Sequence, residues 1–500
     1  MAGTIGTAAG PEEKWSGANR ALALLALINL FNYIDRQVLS AVLPRLELDG
    51  TLFAADDPAV KFKLGLLTSA FLVAYMLFSP LVGWLDGHGY RRWWILGFGV
   101  TVWSLASGFS GFASAYWILF ATRCLVGIGE GAYGPVASAM LADVFPLRQR
   151  GAVMAIFNLA IPVGSALGFV IGGTIADLTH DWRPAFWVTF AGLLLGMVCF
   201  IQKEPPRPKP QSAVTRSYLA VLRTLLRCRS FVLCCLGMTA VTFVLGGVAA
   251  WVPSYVFQRE GRFVLTEETL KELEHPPANS LRRAVPADVI AKLKPLADGA
   301  ERDMLAMKRL IGETLTKEES AIYQETIVVT ATTDDSPTLG DINRFFGGIV
   351  VVAGFSATAF GAWLGEYLRP RIRGAYFLVI GCGVLFALPS YYAFLYTPFP
   401  LGWVFVFLAV FGLFMHTGPA FTLLANVVTS ETRATAFAIN ILVIHALGDV
   451  ISPPFIGAVA DRSNLHTAFL ITGVMIVLGG ALWLWGARYL ETDTKRMETV

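Results

Sequence analysis

The chain is poor in charge: Asp, Glu, Lys and Arg together make up 15% of its 500 residues. Cysteine occurs only six times, at 124, 199, 228, 234, 235 and 382, with no C-x-x-C pair and no histidine at a metal-ligand spacing from a cysteine. Neither a zinc site nor a disulfide framework is expected. P-loop, G-x-S-x-G and H-E-x-x-H strings are missing, so no ATPase, serine hydrolase or zinc protease chemistry can be assigned. The string Gly129-Glu-Gly131-Ala-Tyr-Gly134 formally matches G-x-G-x-x-G, but it sits in an apolar helix with no strand before it. A dinucleotide site needs that strand. A net charge of +3 provides no broad basic surface for nucleic acid. The expectation is a non-enzyme without metal or cofactor.

What is abundant is apolar side chain, 55% of the residues, with a mean hydropathy of +0.59. A soluble protein of this size cannot bury that much in one core, so the implied solvent is the bilayer. The first twenty residues contain two glutamates and no apolar h-region. Insertion is therefore expected to be directed by the first membrane helix. At about 20 apolar residues per span, twelve candidates can be counted: 21–43, 64–85, 93–111, 115–141, 152–176, 184–202, 230–257, 345–364, 374–396, 402–428, 434–460 and 468–486.

Loop charge orients them. With a cytoplasmic amino terminus, Arg91, Arg92, Arg148, Arg150, the basic linker 203–229, Arg369, Arg371 and Arg373 all fall on the cytoplasmic side. The positive-inside rule then places both termini in the cytoplasm of a plasma, or bacterial inner, membrane.

The chain also repeats itself. Asp143 followed by Arg150 returns as Asn426 followed by Arg433, and Gly134-Pro135 returns as Gly418-Pro419. Gly173-Thr-Ile-Ala-Asp177 matches Gly457-Ala-Val-Ala-Asp461, and Trp84-Leu85 matches Trp363-Leu364. Two six-helix halves, 1–202 and 230–500, joined by the linker 203–229, describe an all-α, two-fold transporter architecture. Residues 258–340 break the pattern with 15 acidic and 11 basic side chains. Apolar spacing at Val289, Ile290, Leu293 and Leu296, then Met304, Met307, Leu310 and Ile311, predicts short amphipathic helices there, outside the cytoplasm. A tolerated insertion and a gate or partner-binding cap both fit.

Several strings carry a family resemblance. Asn32-Tyr33-Ile34-Asp35-Arg36-Gln37 with Pro44, Arg123 to Tyr133 in the fourth span, and Ala160-Ile-Pro-Val-Gly164-Ser-Ala-Leu-Gly168 in the fifth resemble the Spinster-like branch of the major facilitator superfamily. The resemblance implies alternating-access transport of a lysophospholipid, sphingoid phosphate or similar amphiphile. The organic-anion symporters begin with a motif similar to Asn32–Arg36 and would imply a sugar acid or carboxylate instead. Two departures stand out. The superfamily's G-x-x-x-D-R-x-G-R-K loop reads here Gly83-Trp-Leu-Asp86-Gly-His-Gly-Tyr-Arg91-Arg92, and the fifth span lacks G-P-x-x-G-G. The second departure weakens any argument for antiport.

Charges inside spans are costly unless paired or wet, so they mark the candidate site. Asp35 and Arg36 lie past the middle of the first span, and Arg123 and Glu130 lie seven apart on the fourth, on one face. One reading is a static ion-pair network. The other is proton coupling at Asp35 and Glu130, with Arg36, Arg123, Tyr33 and Tyr133 lining a substrate pocket. In that second reading Glu130 holds Arg123 when the pocket is empty. His416, and His445 one turn from Asp449, are candidate second-half contacts for substrate or proton, against a structural pairing. Asp86, Arg91, Asp143 and Arg150 form a predicted cytoplasmic latch. Expected partners are the amphiphile, protons and membrane lipids, with the chain a monomer.

Overall fold

The computed structural model describes residues 15–54, 57–206, 218–276, 284–333, 335–429 and 432–498. The first fourteen residues and Arg207, Lys209 and Arg216 of the basic linker lie outside that set. Among the described residues the architecture is helical, with one two-stranded ribbon.

In the first half, α1 is Ala18–Leu46, α2 Val60–Gly87, α3 Arg92–Ser110, α4 Tyr116–Gly131, α5 Gly134–Val144, α6 Leu147–Thr179 and α7 Arg183–Phe200. A short helix, α8, spans Tyr218–Arg227, and α9 spans Arg229–Glu260. The insertion holds α10 (Glu267–Glu274), α11 (Ala287–Leu293), α12 (Met304–Thr314) and α13 (Lys317–Thr330). Then follow α14 (Leu339–Leu368), α15 (Ala375–Tyr396), α16 (Gly402–Asn426), α17 (Thr435–Arg462) and α18 (Leu465–Gly486).

Ten of these helices are long and apolar enough to cross a membrane. The other two predicted spans, 93–111 and 115–141, are α3 and the α4–α5 pair. Both carry polar side chains turned inward, including Ser104, Ser107, Ser110, Thr122, Arg123 and Glu130, all buried. The fourth span is divided into α4 and α5 by the break after Gly131, so neither piece alone is long enough to cross.

The Gly-Pro repeat has a local consequence in each half. Proline cannot donate a helical hydrogen bond but is tolerated in a first turn. The fourth span accordingly breaks after Gly131 and restarts at Gly134, and α16 breaks at Met415 and His416 and restarts at Thr417. In α17 a π-helical turn occupies His445–Asp449. Pro453 and Pro454 lack the amides that would bond to the carbonyls four residues back. The carbonyl of Val450 instead accepts the Ser69 hydroxyl at 2.5 Å, and Pro453's own carbonyl accepts Trp251 Nε1 at 3.0 Å.

The insertion forms the expected amphipathic helices, with Val289 and Leu293 of α11 and Met304, Met307 and Ile311 of α12 buried. Thr266 and Thr316 close capping boxes on α10 and α13, and Asp303 caps α12 through the Ala306 amide. The ribbon pairs Phe263–Val264 with Glu301–Arg302 in antiparallel register.

The chain separates into two compact units. One comprises Met1–Val38, Ala70–Gly168 and Arg183–Val214; the other comprises Leu39–Ser69, Phe169–Trp182 and Thr215–Val500. Thus α1, α2 and α6 each contribute one end to the first unit and the other to the second. The insertion belongs wholly to the second.

Candidate functional site

The buried charges of the first unit form two adjoining clusters. Neighbours on a helix point about 100° apart, so Asp35 and Arg36 of α1 find different partners. Asp35 accepts the hydroxyl of Ser107 from α3. Ser107 in turn accepts Arg123 Nη2 at 3.2 Å, and the same nitrogen donates to Ser110 Oγ at 2.8 Å. The Arg123 guanidinium also lies 5.2 Å from the centre of the Phe186 ring. Asp35 and Arg123 are 1% and 2% exposed, and Ser107 mediates between them.

Arg36 donates from Nε to Glu130 Oε2 at 2.6 Å. Its guanidinium lies 4.9, 5.0 and 5.4 Å from the ring centres of Tyr33, Phe71 and Tyr75. Such a cage of π faces holds a cation while leaving its remaining N–H groups to other acceptors. Asp35 Oδ2, Arg123 Nε and Glu130 Oε1 are buried and make no hydrogen bond. Buried polar atoms are usually satisfied. Three such atoms across the two adjoining clusters mark polar groups with hydrogen-bonding capacity to spare.

The pairing corrects one expectation: Glu130 holds Arg36, not Arg123. Seven residues along α4 amount to a rise of about 10 Å, so the two charges reach different helices. Tyr133 is also reassigned. It is 2% exposed, its hydroxyl donates to the Leu25 carbonyl at 2.5 Å, and its ring packs edge-on against Trp103, which makes it a packing residue. Tyr33 keeps its place beside Arg36.

The two acids of the expected latch meet a different arginine. Arg92, at the start of α3, donates to Asp86 at 2.7 and 3.1 Å and to Asp143 at 2.7 Å, and its backbone amide donates to Glu204 at 2.8 Å. Arg91 lies over the Trp94 ring, and Arg150 Nε donates to the Phe145 carbonyl at 3.2 Å. Asp86 and Asp143 therefore share Arg92 as their cation, in place of the expected Arg91 and Arg150.

Comparison with known proteins places the chain in a family. The Major Facilitator Superfamily description matches residues 25–265. Protein spinster homolog 1 from Homo sapiens is 30% identical, with 95% of this chain and 82% of that protein covered. Protein spinster homolog 3 from Danio rerio is 29% identical, over 96% and 86%. The chain belongs to the Spinster family of the major facilitator superfamily. The crystal structure of a bacterial homolog to the human lysosomal transporter Spinster, inward-facing and unoccupied, aligns with a TM-score of 0.69 at 19% identity, covering 96% of this chain and 99% of that one. A D-xylose–proton symporter shares the fold at a TM-score of 0.58 and 16% identity, over 92% and 96%. The Spinster-family protein is thus a multi-pass membrane protein and a secondary transporter.

The second unit of this Spinster-family chain holds the remaining candidates. His445 Nδ1 lies 2.7 Å from Asp449 Oδ2 within the π turn, a geometry frequent at functional sites. His416 is buried at the break in α16, with Nδ1 2.6 Å from the Leu413 carbonyl and its ring stacked on Trp483. That arrangement suits a structural histidine. The residues missed from sequence were Ser107, Ser110, Phe71, Tyr75 and Arg92. Ser104, Ser107 and Ser110 recur every third position, a polar stripe in an apolar span that could have flagged the first two.

Proposed function

We propose that this secondary transporter moves an amphiphilic lysolipid or sphingoid-type substrate by alternating access, coupled to protons. Asp35 and Glu130 carry the coupling proton; Arg36 and Arg123 receive the charged headgroup, with Tyr33 beside them. The observation that carries the reading is the pair of buried carboxylate–arginine clusters in which Asp35, Arg123 and Glu130 each retain an unused polar atom. Guanidinium keeps its charge at any working pH and matches phosphate bidentately, while a carboxylate can gain or lose a proton as its surroundings change. His445 and Asp449 supply further polar contacts from the second half. In this reading the chain works as a monomer, its bundles being 1–202 and 230–500, in a plasma or bacterial inner membrane with both termini cytoplasmic and 258–340 on the opposite side.

The test is ligand-induced thermal stabilisation by a phosphate-headed lysolipid, a neutral analogue and a sugar acid. Losing one charge-assisted contact costs on the order of 1.5–3 kcal/mol, roughly tenfold to hundredfold in affinity. Arg123→Ala is expected to weaken the phosphate-headed ligand by that factor and the neutral analogue far less, with Arg123→Lys restoring only part. Stabilisation by the sugar acid alone would move the protein to the organic-anion alternative.

A further inference from the structure

The repeated string Gly-x-x-x-Asp has no part in the charged clusters, yet both copies end in the same kind of contact. The first four amides of a helix lack internal partners and form its positive pole. At the end of α6, Asp177 Oδ2 accepts the Gly340 amide in the first turn of α14 at 2.5 Å, and Oδ1 accepts Arg45 Nη2 at 3.2 Å. At the end of α17, Asp461 accepts the first-turn amides of α2, Lys61 at 3.0 Å and Phe62 at 2.8 Å. The helices gripped are themselves repeat-related. Trp84 and Trp363 are 279 positions apart, and so are Lys61 and Gly340.

The glycines four residues earlier complete the symmetry. A Cβ on Gly173 would meet Asn343 Nδ2 at 2.5 Å and the Leu339 carbonyl at 2.9 Å; one on Gly457 would strike the backbone of Lys61 and meet the Phe62 nitrogen at 2.8 Å. Each half therefore offers a glycine that lets the other half's helix approach and an aspartate that holds its amino end. All these residues belong to the second unit.

We propose that Asp177 and Asp461 are paired clasps that keep the transport pathway shut at the insertion-side ends of α2, α6, α14 and α17, and that both must release for that side to open. A carboxylate on free amides suits a reversible clasp because water can replace it on either side when the helices part. Asp461 also lines a cavity of about 580 Å³ together with Lys61, Lys308 and Lys317, which gives water a place beside the contact. The inference needs only that the chain is a secondary transporter, so it stands or falls separately from the lipid substrate.

The experiment uses full-length protein in detergent carrying Ser69→Cys. Ser69 is 5% exposed and contacts Val450 across α2 and α17. Maleimide labelling at residue 69, read by mass spectrometry, then reports opening. Asp177→Asn and Asp461→Asn are each expected to speed labelling roughly tenfold, the loss of one charge-assisted contact, and the double variant to speed it further. Phe62→Pro deletes one clasped amide in a first turn that tolerates proline, and should label faster than Phe62→Ala. Parental labelling in a double variant that melts at the parental temperature would overturn the proposal. If the Asn variants fail to fold, equal labelling of Phe62→Pro and Phe62→Ala would do the same.

Discussion

Glu130 and Arg36 meet at 2.6 Å, with the Glu130 side chain wholly buried and the Arg36 side chain 24% exposed. The asymmetry matters. Arg36 can reach toward whatever occupies its accessible side, whereas Glu130 cannot find another cation without a helix moving. Removing one partner of a buried pair leaves an uncompensated charge, at a cost of about 3–5 kcal/mol.

Arg36→Ala is therefore expected to lower thermal stability sharply, and the double variant Arg36→Ala/Glu130→Gln to recover part of the loss. Melting temperatures of the parent, the two single variants and the double variant check this. Equal melting of Arg36→Ala and the double variant would show that Glu130 does not depend on Arg36.

Asp35 is held by Ser107, which also receives Arg123. The relay predicts that Asp35→Asn abolishes the response of flux to an imposed pH gradient in proteoliposomes. Ser107→Ala should weaken that response without removing it, because the carboxylate remains beside Arg123. Unchanged pH-driven flux in Asp35→Asn would remove Asp35 from the coupling path.

The buried charges were readable from sequence far better than their partners. Hydropathy exposes spans, and a charge within a span announces itself, so Asp35, Arg36, Arg123 and Glu130 could be named in advance. Which arginine meets which carboxylate depends on the rotation and offset of α1 against α4, and no periodicity within one helix encodes that. The same limit explains Arg92. Arg91 and Arg92 are indistinguishable as charges, but only Arg92 begins a helix and turns between Asp86 and Asp143. The π turn at His445 was not legible, because the shift of the Val450 amide to the His445 carbonyl leaves no mark in the residue pattern. Serines such as Ser107 fade because a short hydroxyl barely alters hydropathy.

The ion pairs of Arg92 give a sharp contrast between adjacent arginines. Arg92→Ala removes the cation that Asp86 and Asp143 share and should raise cysteine labelling around the α2–α3 loop and lower the melting temperature, an effect on the order of 3 kcal/mol for a partly buried pair. Arg91→Ala loses only a contact over Trp94, worth about 0.5–1 kcal/mol at an exposed site. Comparable losses in the two variants would contradict the geometry.

The insertion's attachment makes a prediction about acid. Glu47, just beyond α1, accepts Lys61 Nζ at 3.0 Å and Lys308 Nζ of α12 at 2.8 Å, and its second oxygen accepts Gln258 Nε2 at 2.7 Å. Burial pushes its carboxyl up, but Lys308 and Lys61 outweigh burial and hold it down at about 2, below the ordinary 4.5. A depressed carboxylate contributes stability that is complete above its unfolded value and is lost as pH falls toward the folded one. The stabilising effect of Glu47 should therefore be constant from pH 7 to about 5 and decline only between about 4.5 and 2. Glu47→Gln removes the charge at every pH, so its melting-temperature deficit relative to the parent should be level above pH 5 and shrink below 4.5. Lys308→Met should reproduce part of that deficit, since Lys61 still faces the carboxylate. A deficit that stays level from pH 5 down to 2 would mean that Glu47 titrates near its ordinary 4.5 in the folded protein, and that α12 is not fastened to the end of α1 by charge.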